Sequence, residues 1–234
     1  MRRWMVVLTG VVVVVVVAVG AGLVLRDDAP PPLSIDDVAA GDGGSTSAGL
    51  EGQWTIAANS DSQAGLRIVE DRFGGLDDNT AVGRTPAVSG ELTVGGDKVT
   101  AGMFRIDLSE LEFTDDPGIS VANRSEYLRT KALETDRFPT ATLELAEPLP
   151  LPALPASGQV ATASITGDFT LHGVTVERRF AVEVKRSGSR IVLATAAPVS
   201  VDLADHDIDV PVIEGVSEVR DTGEFEFVVV LRRT

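Results

Sequence analysis

Two histidines, His172 and His206, are the side chains best suited to general-base chemistry near neutral pH in this 234-residue chain. His172 lies in "ITGDFTLHGVT" (165–175). His206 lies in "VDLADHDID" (201–209), among Asp202, Asp205, Asp207 and Asp209. A hydrolytic triad would need a serine nucleophile, a histidine base and an orienting acid, and no serine here sits in a G-x-S-x-G elbow. The chain has no cysteine, which removes thiolate nucleophiles, thiolate metal ligands and disulfides together. Alternating aspartates also begin many calcium loops. Counting from Asp205, however, the positions that should carry glycine and the closing glutamate carry Val210 and Val216. The cluster reads as a solvated acidic loop, and the chain as a non-enzyme with no cofactor or metal.

The setting of His172 is better explained by architecture. Ile165, Phe169 and Leu171 are odd-numbered, whereas Val174, Val176, Phe180, Val182 and Val184 are even, so the apolar phase changes across His172-Gly173. A change of this kind marks a turn or bulge between two strands, and glycine supplies the backbone freedom. His172 is thus expected at a corner, hydrogen-bonded to nearby backbone.

Elsewhere, short period-two runs lie between Gly, Pro, Asn and Asp residues, the pattern of an all-β domain. Phe104, Ile106 and Leu108 alternate with Arg105, Asp107 and Ser109. Leu143 and Leu145 do the same with Thr142 and Glu144, as do Phe225 and Phe227 with Glu224 and Glu226. The segment "NRSEYLRTKALETDRFP" (123–139) is compatible with one short helix, capped by Asn123 and turning Tyr127, Leu128 and Leu133 to a core. Pro139 forces Phe138 into an extended conformation and ends it. "EPLPLPALPAS" (147–157) is too rich in proline for a central strand.

The N-terminal part differs in kind. Residues 4–25, "WMVVLTGVVVVVVVAVGAGLVL", are an unbroken apolar stretch long enough to span a bilayer. Arg2 and Arg3 precede it, which by the positive-inside bias leaves the rest of the chain outside the cytoplasm. Residues 1–25 are read as a transmembrane anchor of a single-pass cell-membrane protein, or as a signal peptide that would leave the protein secreted, since Ala18, Gly20, Ala21 and Gly22 offer small residues for cleavage. Residues 26–50, with three consecutive prolines and a Gly/Ser/Thr cluster, read as a disordered linker, and 51–234 as the folded domain. The net charge of −15 repels a phosphate backbone and excludes nucleic acid as a natural partner.

Three segments, "GQWTI", "NRSEYLRTKALETDRFPTATLEL" and "ITGDFTLHGVTVERRFAVEV", together resemble the YceI-like family of polyisoprenoid-binding proteins. The carriers are Leu128, Phe138, Pro139 and the run 140–145, then Gly167, Asp168 and the run 170–175. The chain departs from the family pattern at Asn59 and Ser60, at Tyr127, and at Leu203 and His206. The resemblance implies a lipocalin-like antiparallel barrel of about eight strands around a long apolar cavity, with an isoprenoid-type lipid as partner. Phe104, Ile106, Leu143, Leu145, Phe169, Leu171, Phe225 and Phe227 are then candidates for the cavity wall. By alternation alone they are equally a filled core, which would make the domain a structural or protein-interaction module.

Overall fold

The computed structural model describes residues 29–39, 49–58, 60–72, 77–113, 124–150, 158–187, 189–210 and 218–234. The strands are β1 (Gly52–Ile56), β2 (Gln63–Arg72), β3 (Asp77–Thr85), β4 (Val88–Gly95), β5 (Lys98–Asp107), β6 (Glu112–Phe113) and β7 (Thr140–Leu145). They continue with β8 (Leu149–Pro150), β9 (Val160–Leu171), β10 (Val174–Ser187), β11 (Arg190–Thr195), β12 (Val199–Asp202) and β13 (Glu218–Arg233). Each pairs antiparallel with its neighbours. The order β1-β4-β5-β7-β9-β10-β11-β13 closes on itself through β13 and β1, giving an eight-stranded barrel. Closure removes the free sheet edges that an open all-β sheet would expose.

β13, 16 residues long, is the seam. Its C-terminal half lies between β11 and β1, and its N-terminal half between β12 and β2, with a register shift between Val219 and Gly223. The hairpin β2-β3, extended by β6, continues the wall beside that half. Alternate residues point inward, so the proline-poor alternating strands of the sequence become the inner wall, and the aromatics at odd positions of β9 and β13 meet inside. The proline-rich stretch stays at the margin. β8 pairs only with the first residues of β5, and residues 151–157 lie outside the described residues.

The expected short helix is one α-helical turn, α1 (Arg124–Tyr127), followed by a wider π turn over Leu128–Ala132 that is closed by Leu133 N–H donating to Leu128 O (2.9 Å). Leu128 and Leu133 are buried as expected. The cap Asn123 and the Tyr127 side chain lie outside the described residues.

The linker reading needs correction over residues 29–39, which pack against the outside of the barrel. Leu33, Ile35 and Val38 are buried on Val192, Ala194, Val228 and Val230, the outward-facing side chains of β11 and β13. Ser34 and Asp37 form a capping box around the 3₁₀ turn Ile35–Asp37, which keeps the strap's backbone satisfied. The reason was written in β13. Val228 to Leu231 is a continuous apolar run, the pattern of a strand buried on both faces, and it demands a cover on the outside.

The strap is also held by charge. Glu226, with no side-chain exposure, accepts from Leu33 N (3.0 Å) and from Arg84 Nη2 (2.9 Å) and Nε (3.1 Å). Arg67 Nη1 lies 3.8 Å from the same carboxylate and donates to Pro30 O. At the other end, Arg190 donates to Ala39 O and Lys185 pairs with Asp36. The anchor assigned to residues 1–25 lies outside the described residues. Among those described, no helix is long and apolar enough to cross a membrane.

Candidate functional site

The barrel lumen holds two apolar chambers. The first lies toward the β9-β10 turn and is lined by Phe104, Ile106, Leu143, Phe169, Leu171, Phe225 and Phe227, joined by Leu66 and Ile68 of β2 and by Leu203. The second lies toward the β4-β5 turn and shares Phe104, Leu143 and Phe227, adding Leu145, Leu92, Ile165 and Val182. All eight side chains singled out in the sequence therefore face the lumen. Space open to the centre of a water-sized sphere is about 90 Å³ in the first chamber and about 80 Å³ in the second.

Two glycines on the inner wall let leucines pack close: a Cβ at Gly102 would sit 2.9 Å from Leu92 Cδ2, and one at Gly167 would sit 2.9 Å from Leu143 Cδ1, so a side chain at either position would displace its leucine. The contribution of β2, Gly102 and Gly167 escaped the sequence reading. A glycine leaves no hydrophobic mark, and "GLRIVEDR" does not announce which phase faces inward.

Aromatic rings line the first chamber in a chain of contacts. Phe169 stacks on Phe225 at 4.7 Å, and Phe180 meets Phe225 edge-on at 5.2 Å. Such pairs add about 0.5–1.5 kcal/mol each beyond area burial. The charged residues bordering this wall, Arg67 and Glu226, turn their ionised ends outward to the strap, so the lumen offers a slender ligand apolar contact.

The end of the first chamber is closed by Leu111, Leu133 and Leu203, all buried. His172 ties this closure together. With φ of 52° at His172 and 79° at Gly173, the pair forms a two-residue turn of the primed type that joins β9 to β10. Gly173 must also admit Phe138, whose Cε1 would lie 2.8 Å from a Cβ there. His172 Nδ1 is 3.2 Å from His206 O, and Nε2 is 2.9 Å from Glu134 Oε2. Both nitrogens face acceptors, so the ring bridges the helical segment on one side and the 203–208 loop on the other. Phe138 packs on the ring at 4.3 Å.

The corner role is therefore wider than backbone support: one bond reaches a carboxylate 38 residues away. The two histidines, distant in sequence, meet here. His206 is fully buried and donates from Nδ1 to Val174 O (3.1 Å), with its ring edge-on to Phe169. Among the described residues neither histidine is hydrogen-bonded to a hydroxyl, so no activated nucleophile is assembled. Of the aspartates nearby, Asp202 accepts from Ala204 N and Asp205 pairs with Arg178 (2.6 Å). Among the described residues no three acidic or histidine side chains converge as a metal site.

A His172→Gln variant is expected to lose the ring contact with Phe138 and the bond to Glu134, worth together about 1–2 kcal/mol. For a domain of this size that is a fall in Tm of roughly 2–8 °C. Lumen contents should not change. A fully stable variant with altered lumen binding contradicts the corner role.

The profile of the YceI-like domain matches residues 54–231. A polyisoprenoid-binding domain from Saccharophagus degradans, implicated in plant cell wall breakdown, superposes with a TM-score of 0.55 at 20% identity, covering 77% of this chain and 98% of that one. BcnA of Burkholderia cenocepacia is similar at 15% identity and a TM-score of 0.49, covering 71% and 95%. No curated protein matches the chain.

Proposed function

The chain belongs to the YceI-like domain family, and from that premise we propose that it binds or carries an apolar, chain-like lipid of isoprenoid type inside the barrel. The observation that carries the reading is the pair of chambers walled by apolar side chains. Water in such a cavity finds no polar partners, whereas a hydrocarbon chain removes apolar wall and apolar ligand from water together, at roughly 25 cal/mol per Å² before binding costs. The polyisoprenoid-binding relative from Saccharophagus degradans supports the same ligand class.

Partly buried side chains border both chambers, Leu66, Ile68 and Leu171 at the first and Leu50, Leu145 and Leu149 at the second. The mechanism is sequestration, with no bond made or broken.

The domain acts outside the cytoplasm beside a membrane, held by residues 4–25. The docked strap supports this reading. Its first described residue, Ala29, follows the apolar stretch by only three intervening residues, Arg26 to Asp28, a span of at most about 14 Å. The barrel would thus be held against the bilayer rather than on a long tether, which raises the effective concentration of a membrane-borne lipid at the lumen. Organic extraction of the purified full chain followed by mass spectrometry tests the ligand. A chain-like lipid near one per protein is expected, and a barrel that is consistently empty contradicts the reading.

A further inference from the structure

Phe104 and Phe227 face each other across the lumen with ring centroids 6.4 Å apart and planes 25° from parallel. Together with Leu143 they are the residues common to both chambers, so they form the partition between them. We propose that this waist sets the length of chain the barrel accepts: with the rings in place a ligand occupies one chamber, and a longer one must turn Phe104 aside. The proposal rests on lumen binding as argued above.

Capacity gives the waist its meaning. An apolar cavity of about 150 Å³ takes one benzene ring, so at about 90 and 80 Å³ each chamber takes at most about one isoprene unit. A ligand of that length gains nothing from opening the partition. A longer one can bury its tail only by crossing it.

The two jaws are unequal. Phe227 is buried and backed by Phe180 at 6.4 Å, edge-on. Phe104 is only partly buried, has Phe227 as its one aromatic partner among the described residues, and rests against Gly90, where a Cβ would lie 2.6 Å from its Cδ1. Phe104 is therefore the jaw that yields, and Phe227 the fixed one.

The test is a length series of geraniol, farnesol and geranylgeraniol, bound to the full chain and to Phe104→Ala, with Kd read by displacement of a fluorescent hydrocarbon probe. Phe104→Leu, which shortens the jaw with less loss of packing, serves if the alanine variant fails to fold. Wild type should gain little affinity beyond the shorter alcohols. The ratio of geranylgeraniol to geraniol affinity should rise about tenfold in the variant, the gain from roughly 60 Å² of additional apolar burial by the longer chain. Identical length profiles in wild type and variants overturn the waist and leave lumen binding standing. Absence of binding by wild type to all three alcohols overturns both.

Discussion

Replacing Glu226 with alanine is expected to destabilise the protein by about 3–5 kcal/mol, because it strips the counter-charge from guanidinium groups already out of solvent. The Glu226 side chain is fully buried, and those of Arg84 and Arg67 are 15% and 10% exposed. The carboxylate also accepts the backbone N–H of Leu33, so its loss frees the strap at the point where the polar and apolar contacts join. Urea denaturation measures the cost. Hydrogen exchange over residues 29–39 should rise at the same time. Glu226→Gln keeps one acceptor oxygen, enough for Leu33 N or for Arg84 but not for both, and should cost less than the alanine. The triple variant Arg67→Met, Arg84→Met and Glu226→Leu should recover much of the loss, since a buried ion cluster is often replaceable by apolar side chains. A Glu226→Ala protein within 1 kcal/mol of wild type would remove the strap from the account of stability.

The second large effect is on binding. Ala163 lines the second chamber, and Ala163→Phe projects a ring into space that is otherwise open to ligand. Filling the chamber offsets the usual cost of overpacking a core, about 1–3 kcal/mol, so the variant should fold with a Tm near that of the lipid-free wild type. Its response to lipid is what should vanish. A ligand at about a hundredfold its Kd stabilises wild type by roughly 2.7 kcal/mol, or about 5–10 °C in Tm. A ligand held in the second chamber should give the plugged variant no shift, and an equal shift in both proteins would mean that lipid binds outside that chamber.

These expectations draw unequally on sequence and structure. Alternation exposed the inward residues of β5, β7, β9 and the Glu224–Phe227 stretch of β13, because apolar and polar residues alternate along them. The same rule placed the His172-Gly173 corner, since a two-residue turn must shift the apolar phase by one. The reading stopped where burial was double. Val228 to Leu231 has no alternation to read, and the proline and glycine around residues 29–39 concealed the Leu33, Ile35 and Val38 that answer it. Their spacing fits no regular helix or strand, so the strap became legible only with the groove beneath it. The partners of His172 were hidden for another reason: Glu134 and His206 reach it through loops, and loop contacts leave no periodicity.

The lumen's division follows the same logic. Phe104, Leu143 and Phe227 stand on three different strands, and only their register brings them to one level of the barrel. Sequence named the residues as wall. It had no means of saying that three of them form a partition.

Native mass spectrometry of the full chain, purified from membranes in mild detergent and compared with Ala163→Phe, tests the central claim most directly. Wild type is expected to carry the added mass of a single apolar lipid, released by solvent extraction, and the variant, whose second chamber is filled, to carry none. Wild type at the bare protein mass would contradict a lipid-binding lumen, and the same adduct on both proteins would contradict binding in the second chamber.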